Sequence, residues 1–290
     1  MTRAMADPLA QDQTVERNDG RDEPAPASPR PGAAAAHRHD QILALVRERG
    51  FVTIDTLVRH FRVTPQTIRR DLNFLGTQGR LARYHGGAGL AGSVRNLDYG
   101  ARQVMNLAEK ERIARLVAAQ VPDDASLFIN IGTTTEAVAR ELVHRRGLRV
   151  ITNNLNVAGL LSRQTAFEVI VVGGIVRPGD GGIVGESAID MIEQFRVDLG
   201  IIGISGIDAD GALLDFDYRE VRAARAILRN ARRVWLVADH SKFGRKPMVR
   251  LGSVAEVSDF FTDRPPPDGF VRLLQANGVR LHIADGPTGD

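Results

Sequence analysis

Between residues 126 and 238 the chain alternates between short runs rich in β-formers and stretches with helical spacing. The runs are "SLFINI" (126 to 131), "LRVIT" (148 to 152), "EVIVVGG" (168 to 174), "LGIIGIS" (199 to 205) and "RVWLVA" (233 to 238), and helical patterns lie at 109 to 120, 134 to 145, 188 to 195, 218 to 231 and 269 to 276. Such alternation leaves few architectures open. A strand followed by a helix returns to pair in parallel, and the helices then cover the sheet. The expected class is an α/β domain with a mostly parallel sheet over residues 109 to 290.

Open sheets of this kind bind ligands at the carboxyl ends of their strands. Several polar loops fall there: the one opening "INIGTTTEAVA" (129 to 139), then "TNN" (152 to 154), "GG" (173 to 174), "GGIVGE" (181 to 186), "GISGID" (203 to 208) and "ADHSKFGR" (238 to 245). The first runs from a strand through a glycine into three threonines and a helix, which offers backbone amides and hydroxyl donors to an anion. A capped βα turn with no ligand has the same appearance. Lys242 is the obvious cation for a phosphate, and it could equally be an exposed lysine. The candidate binding residues are Gly132, Thr133, Thr134, Thr135, Asn153, Asn154, Gly173, Gly174, Glu186, Asp208 and Lys242.

The 290 residues suffice for a second domain ahead of this one. Residues 1 to 36, with "PAPASPRPGAAAA" at their end, have no periodic apolar face and read as a disordered tail. From 37 to 92 the pattern is three short helices and a hairpin, a winged helix-turn-helix. Ile42, Leu43, Leu45 and Val46 mark the first helix, which Gly50 ends, and Thr53 caps a second with Ile54, Leu57, Val58 and Phe61 at i, i+3, i+4 and i+7. Thr64 caps a third, with Pro65 at its first position. Residues 81 to 84 and "HGGAGL" read as strand, turn and strand. Residues 93 to 108 read as a polar linker.

On the third helix, Ile68, Leu72 and Leu75 share the buried face, whereas Gln66, Arg70 and Asn73 lie opposite, flanked by Thr67 and Arg69. Those side chains suit a major groove: arginine donates twice to guanine, and glutamine or asparagine pairs with adenine edges. Candidate DNA contacts are Thr64, Gln66, Thr67, Arg69, Arg70 and Asn73, with His85 at the wing tip. Asp71 is expected to pair with a neighbouring arginine, and Arg69 to face a phosphate or Asp71. Between residues 37 and 90 nine arginines stand against four acids, which exceeds the whole chain's net +3, so the basic surplus sits in this segment.

The absence of cysteine excludes disulfides, thiolate metal sites and a cysteine nucleophile. No apolar run approaches the ~20 residues that span a bilayer, and no signal-peptide core opens the chain. The expected setting is the cytoplasm, with no membrane partner.

"VTPQTIRRDLNFL…YHGGA" resembles the winged helix-turn-helix of DeoR-type transcriptional regulators, and "EKERIA", "IGTTTEAVA", "VITNNLNVA" and "ADHSKFGR" resemble their sugar-phosphate-sensing domain, which is ribose-phosphate-isomerase-like in fold. Together these motifs span residues 38 to about 285. The resemblance implies a homo-oligomeric repressor of double-stranded operator DNA, released by a small phosphorylated metabolite, with no cofactor, metal or catalytic residue. "DGGIVGE…QFRVDLGIIGISGIDADGALLDFDYREVR" is closest to members that answer to glycerol 3-phosphate, which favours that effector over other sugar phosphates. Two further readings stand beside it: an enzyme of the isomerase type, and a ligand-free oligomerisation scaffold. Alignment through "ADHSK" sets the isomerase's catalytic glutamate near Ala224, which cannot act as a base, with Asp208, Asp215, Asp217 and Glu220 nearby. Many relatives carry aspartate where this chain has Asn130, and an amide both donates and accepts.

Overall fold

The computed structural model describes residues 31–84, 86–89 and 99–284. The N-terminal part comprises α1 (Pro31–Arg49), β1 (Phe51–Thr53), α2 (Ile54–Phe61), α3 (Pro65–Thr77), β2 (Ala82–Tyr84) and β3 (Gly87–Gly89). Both expected caps form: the Thr53 hydroxyl accepts from Thr56 N–H at 3.0 Å, and that of Thr64 from Thr67 N–H at 3.2 Å. Ile42, Val46, Leu57, Ile68, Leu72 and Leu75 are fully buried together, so the three helices close on one core. β1 was not expected, because three residues are too short to show alternation; it pairs with β3 and makes the wing a three-stranded sheet in the order β1-β3-β2. α1 begins inside the stretch read as tail. Pro31 sits in its first turn and Ala33 to Ala36 are strong helix formers, which carries the helix back from 37. Residues 1–30 lie outside the described residues.

The stretch read as a linker holds a helix, α4 (Tyr99–Val104). At six residues it is too short for apolar periodicity and is fixed by what it touches. Asn106, in the left-handed conformation at φ 53°, separates it from α5 (Leu107–Gln120).

The remaining elements in chain order are β4 (Ser126–Ile129), α6 (Thr133–Leu142), β5 (Arg149–Thr152), α7 (Leu155–Leu161), β6 (Glu168–Val171), β7 (Ile175–Val176), β8 (Ile183–Val184), α8 (Glu186–Glu193) and β9 (Val197–Ile202). There follow β10 (Gly206–Ile207), β11 (Ala212–Asp215), α9 (Tyr218–Asn230), β12 (Ala231–Val237), β13 (Val249–Ser253), β14 (Asp259–Thr262), α10 (Asp268–Ala276) and β15 (Arg280–Ile283). Seven strands form one sheet in the order β15-β14-β12-β9-β4-β5-β6, every neighbouring pair parallel. Side chains alternate between its faces. Leu127, Ile129, Leu199, Ile201, Trp235 and Val237 pack under α5, α6 and α7, while Phe128, Ile202, Val234 and Leu236 pack under α8, α9 and α10.

Strand order decides where a ligand fits. From β4 the chain builds outward through β5 to β6, and then returns to the other side of β4 to place β9, β12, β14 and β15. The loops after β4 and β9 therefore leave the sheet in opposite directions, and a crevice opens between them. Among the described residues no helix is long and apolar enough to cross a membrane.

Candidate functional site

The exposed face of α3 is the first surface of interest. Gln66, Arg69, Arg70 and Asn73 are exposed while Ile68, Leu72 and Leu75 are fully buried, the partition expected from helical period alone. Thr64 is exposed and its hydroxyl lies 2.9 Å from that of Thr67, so both threonines are engaged in the cap. Asn73 Oδ1 accepts from Arg83 on β2, which ties the helix to the wing. Arg69 lines a cleft with Arg59 of α2 and Arg83 of β2, three guanidinium groups beside one acid, Asp55. His85 lies outside the described residues.

Asp71 does pair with an arginine, but a remote one. Its carboxylate accepts from Arg38 at 2.6 and 3.1 Å and lies 2.9 Å from His39, both on α1. The side chain is 7 % exposed, so these partners fix α1 to α3. Arg69 is thereby left to solvent or a phosphate.

The crevice between β4 and β9 forms the second site. One wall is the loop after β4: Ile131, Gly132, Thr133 and Thr134. Gly132 takes φ +150°, and a Cβ there would sit 3.3 Å from Thr135 Oγ1. Lacking a side chain, it leaves α6 without a side-chain cap, and the first amides of that helix face the crevice with their partial positive charge. The opposite wall is Gly203, Ile204 and Ser205, after β9.

Cations and carboxylates complete the lining within reach of one another's charge. Lys242, in the 3₁₀ turn His240–Lys242, is 7 % exposed, and burial pushes its pKa down to about 8 against the opposing pull of Asp239. Asp239 is fully buried beneath it. Burial raises that carboxyl, but Lys242, Lys110 and hydrogen bonds from Ser241 and Asn106 outweigh burial and hold it at about 2. Arg102 reaches in from α4. Asp215, from β11, and Glu220, from α9, belong to the same lining. Burial pushes both carboxyls up, and their mutual repulsion adds to the rise at Glu220, which accepts from Arg177 Nη1 at 2.7 Å. The amides and cations suit an anion, and the carboxylates suit hydroxyl groups.

Of the eleven candidate binding residues, the crevice brings together Gly132, Thr133, Thr134 and Lys242. The structure puts the rest to other use. Thr135 donates to the carbonyls of Asn130 and Gly132, at 2.8 and 2.7 Å, and so shapes the loop from behind. Asn153 donates to Ile183 at 3.1 Å, whereas Asn154 caps α7 and donates to Glu136 at 3.0 Å. Gly173 and Gly174 follow β6, and Gly174 packs so tightly that a Cβ there would meet the Val184 carbonyl at 2.8 Å. Glu186 lies exposed on the α8–α9 surface and accepts from Arg222 at 2.9 Å. Asp208 Oδ1 accepts from Ala209 N–H at 2.8 Å within a turn.

Sequence reasoning missed Arg102 and Ser205 as lining residues, and it weighed Asp215 and Glu220 only as possible catalytic carboxylates. Ala224 lies on the fully buried face of α9. Asn130 is 1 % exposed, with its side-chain oxygen buried and without a hydrogen-bond partner among the described residues.

Two family profiles match the chain: the DeoR-like helix-turn-helix domain over residues 38–94, and the DeoR C terminal sensor domain over residues 105–264. The glycerol-3-phosphate regulon repressor of Escherichia coli (strain K12) is 52 % identical over 246 residues, 85 % of this chain and 98 % of that protein. The chain belongs to the DeoR family of transcriptional regulators.

The namesake repressor of Haemophilus influenzae is 47 % identical over 249 residues, covering 86 % of this chain and 97 % of its own length. These relatives are transcriptional repressors, and this DeoR-family chain is a regulator rather than an enzyme. Among solved structures, ribose 5 phosphate isomerase A from Neisseria gonorrhoeae overlaps with a TM-score of 0.35 at 13 % identity, covering 47 % of this chain and 53 % of its own.

Proposed function

We propose that this DeoR-family protein is a repressor that binds operator DNA through α3 and the wing, and that glycerol 3-phosphate releases it by occupying the crevice between β4 and β9. It works in the cytoplasm as a homo-oligomer, whose paired recognition helices suit a repeated operator. The observation that carries the effector assignment is the mixed lining of the crevice, in which helix amides and cations stand together with two carboxylates. The amides of α6, Lys242 and Arg102 suit a phosphate, and Asp215 and Glu220 accept from hydroxyl groups of a short polyol. The likeness to the two glycerol-3-phosphate regulon repressors supports the same effector. In this reading Gln66, Arg70 and Asn73 address base edges, while Thr64, Thr67 and Arg69 address the backbone.

Linkage makes the test sharp. If the effector weakens operator binding by a given factor, operator must weaken effector binding by the same factor. Calorimetric titration with glycerol 3-phosphate should give a single class of sites, with tighter binding than other sugar phosphates show and weaker binding once operator duplex is present. Equal affinity with and without operator would remove the coupling, and a preference for a hexose phosphate would move the effector elsewhere in the sugar-phosphate class.

A further inference from the structure

We infer that Arg102 is an effector-binding residue lent to the crevice by the helix between the two domains, and that α4 is thereby the mechanical link from effector to DNA. The inference rests on the function proposed above and deepens it.

Arg102 is mostly buried, lines the crevice, and stacks over the Tyr99 ring with 5.9 Å between guanidinium and ring centroid. Among the described residues its only ion pair is a long one, 3.4 Å from Nη2 to Asp180. Its Nε is buried with no hydrogen-bond partner. A buried guanidinium normally fills its donors, because leaving one unpaired in a dry site costs stability. A phosphate at the amide end of α6 would supply the missing acceptor.

The residues around Arg102 hold α4 to the sensing side at several points. Tyr99 Oη donates to Glu136 on α6 at 2.7 Å, Lys110 Nζ donates to the Arg102 carbonyl, and Asn106 donates to Asp239 at 2.8 Å. The opposite side of the same short helix belongs to the DNA-binding domain. Ala101 and Met105, one position before Arg102 and three after it, pack on Phe51 of β1, which is 4 % exposed. The Val104 carbonyl faces the wing turn at Gly86, where a Cβ would lie 2.9 Å from it and φ is +91°. Less than one helical turn thus separates a group that touches the effector from groups that support the wing. Pulling Arg102 off Asp180 and onto a phosphate moves α4, and α4 cannot move without shifting β1 and the wing beside α3. Packed elements of this kind respond by switching between arrangements rather than by deforming.

The test uses the full-length protein, glycerol 3-phosphate and operator duplex, with unfolding temperature as the check on folding. Arg102→Ala should weaken glycerol 3-phosphate binding by roughly ten- to a hundredfold, as loss of a charge-assisted contact does, and leave effector-free operator affinity within about twofold of wild type. Arg102→Lys should recover part of the loss, since it restores charge without the fork. Met105→Ala should leave effector affinity unchanged and shrink the factor by which effector weakens operator binding. Effector affinity within twofold of wild type in Arg102→Ala overturns the inference, as does full operator release in Met105→Ala. Wild-type protein that binds no glycerol 3-phosphate overturns the parent proposal and this one with it; that outcome is distinguishable because it needs no variant.

Discussion

The face of α3 and the β4–β9 crevice are both polar surfaces built on apolar cores, yet they are assembled in different ways. The side chains that α3 offers to DNA in the proposed reading come from ten consecutive residues, Thr64 to Asn73, and a single periodicity assigns each to core or surface. The crevice draws on the segments around residues 102, 131–134, 203–205, 215–220 and 242, brought together only by strand order. Helical spacing therefore identifies a groove-reading surface directly, while a switch-point pocket follows from topology.

The largest expected effect tests whether the two regions are separate cores. Leu72 is fully buried among Ile42, Leu57, Ile68 and Leu75. Leu72→Ala should cost about 2 to 5 kcal/mol of stability in that core. Operator binding should be lost, while calorimetric affinity for glycerol 3-phosphate persists. Simultaneous loss of both would mean that the two cores fold as one unit.

Arg70→Ala comes next. The side chain is exposed and outside the core, so unfolding temperature should not change. Discrimination between operator and scrambled duplex should fall by roughly 1 to 3 kcal/mol if it pairs with a base. A uniform loss across sequences, with a shallower salt dependence, would instead assign Arg70 to a phosphate.

How far the sequence could be read follows the same division. The caps at Thr53 and Thr64, the buried positions of α2 and α3, and five of the seven strands of the parallel sheet were legible, because local spacing and capping chemistry determine them. Within the crevice, the glycine and threonines after β4 and Lys242 were legible as anion-binding types. Arg102 was not, since α4 is too short to show a period and its partners lie on α6, on β1 and in the Asp180 loop. Glu186 and Asp208 looked equally suitable as ligands. Only the fold turns one toward Arg222 and the other back onto its own turn.

A smaller effect probes the charge state of the crevice. Lys242 sits near a pKa of about 8 because burial disfavours its charge, with Arg245 and Arg102 adding repulsion and Asp239 and Asp215 opposing it. Lys110, close by, is pushed down to about 7 chiefly by burial. A phosphate favours the charged forms, so binding should take up protons near pH 8, and affinity should fall as pH rises. Between pH 7 and 9 the loss should be about fivefold, as for one lysine whose pKa rises by about one unit from about 8 on binding. Titrations in buffers of different ionisation enthalpy would count the protons, and zero uptake would mean that neither lysine meets the phosphate.

Glu186→Ala is expected to do least, and so separates topology from residue type most cleanly. Glycine-glutamate at a helix start reads as a ligand loop in sequence, yet the Glu186 side chain is 68 % exposed and its partner Arg222 is 40 % exposed. Exposed pairs of this kind contribute from nothing to about 1 kcal/mol, and the cleft they share with Tyr218 and Arg225 lies on the α8–α9 surface rather than at the switch point. Effector affinity of the variant should match wild type within twofold. A tenfold loss would mean that the effector reaches beyond the β4–β9 crevice onto α8, and the carboxylate part of the site would then have to be redrawn around Glu186 instead of Glu220.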